Sequence, residues 1–343
     1  MHSKAFDRRA DAIRWGNGQK ATVHNGSHID PSDRTTVLDY AERWTAGREY
    51  KELSVRQGRT YLNHLRGTPL GNMGLRNAAP SDVQSWINSR SRLLAPQTVR
   101  NLYTWLKAVF RSATEDRLIT HTPCTSRLSL PKIPKPRIEP LTVQQVHLIA
   151  AGMPPRYRMA VLLQASCGLR ISELLALQVR DVDFMRRTVS VDRQLARDGH
   201  RFVSPKTESS RRTVPLMSDV ALLLSEHVAN FPPNSEGVLF TTTEDNPIRQ
   251  DYYSAKLFRP AVKSAGLPSS VSSHDLRHHF ASILIRQGLP VNIVSHYLGH
   301  STATLVLETY SHLMPDSEDL AREKLESAWH VSQAVSQDRA ATL

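Results

Sequence analysis

His274-Asp275-Leu276-Arg277-His278, then Leu298-Gly299-His300-Ser301-Thr302, then Tyr310, form the stretch on which the reading of this chain turns. His274 and Arg277 stand three residues apart at the start of a helical pattern, so both side chains leave one face of that helix. Gly299 suits a left-handed C-cap, which would set His300 at a sharp corner between two helices. Tyr310 follows in a short helical run that begins at Thr304. Far upstream, Arg170 comes just after Gly168, a second C-cap glycine at the end of an apolar helix. Guanidinium and imidazole N–H groups hold negatively charged oxygens, and a tyrosine oxygen can attack. The set therefore points to chemistry on a phosphodiester.

Working outward, 343 residues are enough for at least two cores. A hydrophobic share of 40% with 22% charged residues is that of a globular protein and excludes a disordered one. No apolar run approaches the ~20 residues of a membrane span, and Met1-His2-Ser3-Lys4-Ala5-Phe6 lacks an apolar signal core. The expectation is a cytoplasmic protein with no membrane partner. Cys124 and Cys167 are widely spaced and match no metal-ligand pattern, so they read as buried thiols. The net charge of +12 is uneven: residues 1–140 hold 23 Lys+Arg against 12 Asp+Glu, and the remainder holds 21 against 20. A basic front half suits a phosphate backbone.

The front half reads as helical. Val37, Tyr40, Ala41 and Trp44 form one stripe, and Val55, Tyr61, Leu62 and Leu65 form a second. Ser81-Asp82 could cap a helix through Trp86 and Ile87, and Pro96 opens another with Val99, Leu102, Tyr103, Leu106, Val109 and Phe110 on its apolar side. The aromatics could stack on bases, but at helical spacing Tyr40, Trp44, Trp86, Tyr103 and Trp105 are read as core. Arg92, Arg100, Lys107 and Arg111, with Lys132 and Lys135, are the candidate DNA-backbone contacts. Four prolines in Leu130–Pro140 mark a linker over residues 131–140. Beyond it, Thr142-x-x-Gln145 is a capping box. Thr188–Val191, Phe202-Val203 and Thr213-Val214 suggest one small antiparallel sheet. Helices are then expected at Asp219–Ala229, Tyr252–Ala265, His274–Gln287, Pro290–Leu298 and about Asp316–Trp329. The fold class is mainly α with a small antiparallel sheet, α+β, in two lobes.

Gly168-Leu169-Arg170-Ile171-Ser172-Glu173-Leu174, His274-x-x-Arg277-His278, Leu298-Gly299-His300-Ser301 and Tyr310-Ser311-His312, in this order, resemble the tyrosine recombinases of the phage integrase family. The resemblance covers about Thr36 to His330 and implies a clamp around duplex DNA. A truncated arm-binding-like segment would occupy 1–30 and a helical core-binding domain 31–130. After the linker, a catalytic domain would fill 141–330, followed by a tail over 331–343. It implies that Arg170 and Arg277 clamp the scissile phosphate, with bidentate forks that lysine could not reproduce. It further implies His274 and His300 as flanking donors or proton carriers, Lys206 as the acid for the leaving 5′-oxygen, and Tyr310 as the nucleophile. Glu173 and His278 would support them, Glu173 by orienting Arg170 or a histidine. His279 is expected to pack or cap, and His312 to stand outside the chemistry.

The resemblance implies double-stranded attachment sites as substrate and a homotetramer in the synaptic complex. It also brings in a host architectural protein and a directionality factor. It implies no metal and no other cofactor. His274, Asp275 and His278 could in principle ligate zinc, but no His-Glu-x-x-His pattern accompanies them, and guanidinium beside a dication is costly. Integration of a phage or related element is the expected role. Recombinases of transposons, chromosome-dimer resolvases and type IB topoisomerases share the chemistry. A DNA-binding regulator with a vestigial site is the alternative of another class.

Overall fold

The computed structural model describes residues 34–47, 52–134, 138–196, 199, 201–205 and 208–314, with residues 8–10, 13 and a scatter between 318 and 329. The chain divides into two compact units, Met1–Lys135 and Pro136–Leu343. That division falls inside the proline-rich stretch 131–140. The segments read as 1–30 and 331–343, and most of the helix expected at Asp316–Trp329, lie outside the described residues.

The first unit is built from α1 (Val37–Ala46), α2 (Glu52–Leu65), α3 (Pro69–Asn72), α4 (Pro80–Ser91) and α5 (Pro96–Glu115). Thr36 starts α1 through a capping box: its Oγ1 accepts from the Asp39 amide at 3.1 Å, and Asp39 accepts from the Thr36 amide at 3.1 Å. Pro96 stands in the first turn of α5, where its missing N–H removes no helical bond. The apolar stripe of α5, from Val99 to Phe110, is buried against Val37, Leu62, Leu65, Val83, Trp86 and Ile87. Each large apolar side chain buried there contributes about 1.5–3 kcal/mol. Tyr40, Trp86, Tyr103 and Trp105 are core residues and Trp44 packs against them. The Tyr40 hydroxyl also donates to Asp116 at 2.5 Å, tying α1 to the end of α5.

The second unit opens with α6 (Val143–Gly152), α7 (Pro155–Cys167) and the single turn α8 (Ile171–Leu174). Thr142 and Gln145 form the capping box of α6, at 3.1 and 2.9 Å. Gly168 ends α7 with φ of +61°, and a Cβ there would stand 2.3 Å from the Phe280 ring. Only glycine satisfies both the backbone and the packing.

Five short strands follow: β1 (Val182–Asp183), β2 (Thr188–Val191), β3 (Gln194–Leu195), β4 (Phe202–Val203) and β5 (Arg212–Pro215). They make two sheets, where the sequence suggested one. The order β1-β2-β5 is antiparallel, with Val182 opposite Val189 and Val191 opposite Arg212. β3 pairs with β4 separately, Leu195 facing Phe202. β2 already has a neighbour on each edge, so β4 cannot pair with it and joins β3 instead.

The unit is completed by α9 (Ser218–Asn230), α10 (Gln250–Tyr252), a π-helical turn (Tyr253–Phe258), α11 (Arg259–Ser264), α12 (Ser273–Arg286), α13 (Val291–Leu298) and α14 (Thr304–Tyr310). The uninterrupted helix expected at Tyr252–Ala265 is thus widened for one stretch. Pro260, just after the π turn, has no N–H to return to the preceding turn. One core joins α6, α7, the three-stranded sheet, α9, α12 and α13, and it reaches Val306 and Tyr310 of α14. Among the described residues no helix is long and apolar enough to cross a membrane. Cys124 and Cys167 are both free and buried, one in each unit.

Candidate active site

The C-terminal end of α13 organises the site. Helices end with carbonyl groups that have no partner in the helix and carry partial negative charge. Here three consecutive carbonyls each accept from a different arginine. Arg212 Nε donates to Tyr297 O at 2.6 Å, Arg277 Nη2 donates to Leu298 O, and Arg170 Nη2 donates to Gly299 O at 2.9 Å. Gly299, with φ of +61°, turns the chain away immediately afterwards. A Cβ at Gly299 would stand 3.0 Å from Arg212 Nη1 and 3.4 Å from Arg170 Nη1. A side chain there would crowd the guanidinium groups.

Glu173 neutralises part of this charge. Arg212 Nη1 and Nη2 donate to its two carboxylate oxygens at 3.1 and 2.8 Å, and Arg170 Nη1 donates at 2.8 Å. The Arg212 side chain is 0% exposed and that of Glu173 is 3% exposed, so this is a buried ion pair. Burial alone would push the Glu173 carboxyl up. The hydrogen bonds and charge of Arg212, with Arg170, outweigh it and hold the pKa below the ordinary value.

Arg277 projects from α12 into the core and is 2% exposed. It also donates to Gly168 O at 2.7 Å, joining the ends of α7 and α13. Burial and the neighbouring Arg170 push its pKa down to about 9, so it remains charged at neutral pH. Arg170 differs in being 33% exposed. Its hydrogen bonds to Glu173 and Gly299 leave part of its N–H fork unspent. His300 Nε2 lies 3.1 Å from Arg277 Nη2. A guanidinium only donates, so Nε2 accepts and the proton of the neutral ring sits on Nδ1. That Nδ1 is buried with no partner among the described residues. Burial, then Arg277, Arg170 and Arg212, push the His300 pKa down to about 4.

The second half of the site lies on α12 and α14. His278 Nδ1 is 2.5 Å from the Tyr310 hydroxyl oxygen. The His274 ring stands edge-on to His278, with centroids 4.7 Å apart. Tyr310 is 2% exposed. Burial pushes its phenol up to about 12, with Arg277 opposing and Asp275 adding to the rise. Desolvation and Arg277 lower the pKa of His274. The Ser272–Asp275 capping box, with Asp275 accepting at 2.8 Å from both the amide and the hydroxyl of Ser272, fixes the start of the helix that carries His274, Arg277 and His278.

Thus Arg170, Glu173, Arg277 and His300 meet in one cluster, and His274, His278 and Tyr310 in an adjoining one. Lys206 lies outside the described residues. Of the other histidines, His279 is buried with Nδ1 at 2.6 Å from Leu141 O. His312 Nε2 is 3.1 Å from Ile138 O. Of the other tyrosines of this unit, Tyr253 is wholly buried in the core and Tyr252 is exposed. Arg212 was not singled out from sequence. The only signal for it was an arginine starting a strand that returns toward the cluster. Among the described residues no group of three or more His, Cys, Asp and Glu could hold a metal.

The candidate backbone contacts belong to the first unit. Arg92, Lys107, Arg111 and Lys132 are exposed, Arg111 facing Glu115 at 3.4 Å. Arg100 is half-buried and donates to Pro131 O at 2.9 Å, which fastens α5 to the start of the proline-rich stretch. Lys135 lies outside the described residues.

The family model described as Phage integrase family matches residues 139–316. The chain belongs to that family. Among its relatives, the integrase of Mycobacterium phage D29 is 28% identical over 79% of this chain and 75% of its own length. That of Mycobacterium phage L5 is 27% identical over 80% of this chain and 76% of its own. Among solved structures, the Tn1549 transposon integrase in complex with a circular intermediate DNA superposes with a TM-score of 0.73. It is 25% identical and covers 85% of this chain and 99% of its own. The protein is therefore a site-specific tyrosine recombinase, an enzyme that breaks and rejoins DNA.

Proposed function

We propose that this recombinase integrates a phage or related mobile element into a host chromosome, with Tyr310 as nucleophile toward double-stranded attachment sites. The reading is supported most directly by the two guanidinium groups of Arg170 and Arg277, held on adjacent carbonyls of α13 beside the His300 ring. Fixed cations of this kind suit the non-bridging oxygens of a phosphodiester, whose charge grows as phosphorus becomes five-coordinate. In this reading Tyr310 attacks phosphorus and forms a 3′-phosphotyrosyl bond. The 5′-oxygen leaves and takes a proton from Lys206. His274 and His300 flank the phosphate as donors or proton carriers, and Glu173 orients Arg170 or a histidine. The reverse attack by a 5′-hydroxyl rejoins the strand, so the bond energy is kept and no nucleotide is consumed. Exposed Arg92, Lys107, Arg111 and Lys132 suit the DNA backbone, and four protomers would assemble on two sites.

The phage relatives favour integration over the related roles. A nicked duplex that loses a short strand fragment on cleavage traps the covalent intermediate. An adduct formed by the wild type and absent in Tyr310→Phe is the expected result. An adduct that persists in Tyr310→Phe removes Tyr310 as nucleophile, and none on any site flanking the gene favours an inert DNA-binding regulator.

A further inference from the structure

The proton of the attacking phenol needs an acceptor, and among the described residues one group stands at hydrogen-bonding distance from it. We propose that His278 is a catalytic residue, the general base that takes the phenolic proton of Tyr310 through its Nδ1. The inference rests on the reading of Tyr310 as nucleophile.

The geometry comes first. His278 Nδ1 and the Tyr310 oxygen are 2.5 Å apart, close enough for direct proton transfer with no water between them. The two side chains come from different elements, α12 and α14, so helical spacing alone does not bring them together. Their backbones are fixed independently. The Ser272–Asp275 box caps the start of α12, while Val306 and Tyr310 anchor α14 in the core. The phenol is the stronger acid of the pair, so it donates and Nδ1 accepts, which leaves the imidazole proton on Nε2.

The surroundings keep this imidazole ready to accept. Burial, with His274 alongside, lowers its pKa to about 4, Asp275 opposes, and Arg277 adds to the lowering. At neutral pH the ring is thus uncharged. From α14 it faces Tyr310, and in the turn that follows, His312 is engaged by Ile138 O. A neutral imidazole is a weak base toward a resting phenol. Transfer becomes favourable as the O–P bond forms, because the oxygen gives its electron pair to phosphorus and its proton affinity collapses. The phosphodiester anion beside the ring also favours the imidazolium.

The step balances. Tyr310 Oη forms a bond to phosphorus, its proton passes to His278 Nδ1, and the bond to the 5′-oxygen breaks with that oxygen taking a proton from the acid. On rejoining, the 5′-hydroxyl attacks and gives its proton back to the conjugate base of that acid, the phenolate leaves, and His278 returns the proton to it. The same imidazole thus serves as base in cleavage and acid in rejoining.

The test is single-turnover adduct formation at neutral pH on a nicked duplex that the wild type cleaves. His278→Asn places an amide oxygen near the position of Nδ1, keeping an acceptor that cannot take the proton, and His278→Ala removes it. Both should slow cleavage by on the order of a hundredfold to ten-thousandfold, with site binding retained. Replacing Tyr310 by 3,5-difluorotyrosine, an already acidic phenol, should restore much of the loss in His278→Ala. Wild-type rates in His278→Asn overturn the proposal, as does a loss that the fluorinated phenol leaves untouched. An adduct in Tyr310→Phe would instead refute the nucleophile assignment.

Discussion

Arg212→Met should destabilise the second unit severely, because the arginine holds more than one buried partner. Its side chain is wholly enclosed, it makes a two-point contact with Glu173, and it donates to Tyr297 O and Ser210 O. The substitution leaves the buried carboxylate with Arg170 as its remaining guanidinium partner and takes the Arg212 donor from the Tyr297 carbonyl. Removing one partner of a buried ion pair costs about 3–5 kcal/mol. At roughly 2–4 °C per kcal/mol for a unit of this size, the melting temperature should fall by about 6–20 °C. Scanning calorimetry of the full chain reads this directly. The pH dependence supplies a sign. The Glu173 pKa is lowered in the folded state, so its contribution is present above the unfolded carboxyl pKa and is lost as pH falls through the folded one. In Arg212→Met the carboxylate lacks that support, so the gap to wild type should narrow in acid. Glu173→Leu combined with Arg212→Met removes both charges and should recover much of the melting temperature. It should not recover cleavage, since Arg170 has lost its carboxylate. A melting temperature near wild type in Arg212→Met, or a gap that widens in acid, refutes the reasoning.

Other outcomes follow from the same geometry. Arg170→Ala and Arg277→Ala should each lower adduct formation by on the order of a hundredfold or more, while site binding in a gel-shift assay weakens little. Equal losses of binding and cleavage would contradict the phosphate-clamp assignment. Gly168→Ala meets the Phe280 ring and a left-handed backbone together, so thermal unfolding should show a loss of about 1–3 kcal/mol or more. His278 and His300 have pKa values lowered from 6.5 to about 4, so both favour neutrality in the folded state. Their contribution is whole above pH 6.5 and is lost as pH falls toward about 4, which a series of melts across that window will register. Lys107→Gln should reduce DNA affinity at low salt and flatten the salt dependence, with little effect on single-turnover cleavage at saturation.

Much of this fold was legible because local rules wrote it. The α5 stripe, the Thr142–Gln145 box and the C-cap glycines 168 and 299 each follow from residues within a turn or two. The motif residues were legible too, but only through their resemblance in order and type to a family. What escaped involved partners far apart in sequence. Arg212 matters because it meets Glu173, 39 residues earlier, and Tyr297, 85 residues later. Neither spacing leaves a periodic trace. His278 and Tyr310 meet across 32 residues for the same reason. The second sheet depends on which strand edge is already occupied, and that is decided only once β5 has paired with β2. The π turn before Pro260 was not anticipated in the helix expected at Tyr252–Ala265, although the proline's missing donor is written in the sequence.

Three arginines rest on the carbonyls of residues 297, 298 and 299, and those oxygens belong to the backbone. Every amino acid carries one. No substitution at Tyr297 or Leu298 can delete these acceptors, whatever it does to the surrounding packing. The cradle can be emptied by losing an arginine, but its floor can be damaged only by bending the chain. Sequence drift in this segment is therefore filtered by conformation, and the heaviest constraint falls on Gly299, which contributes no side chain to the site.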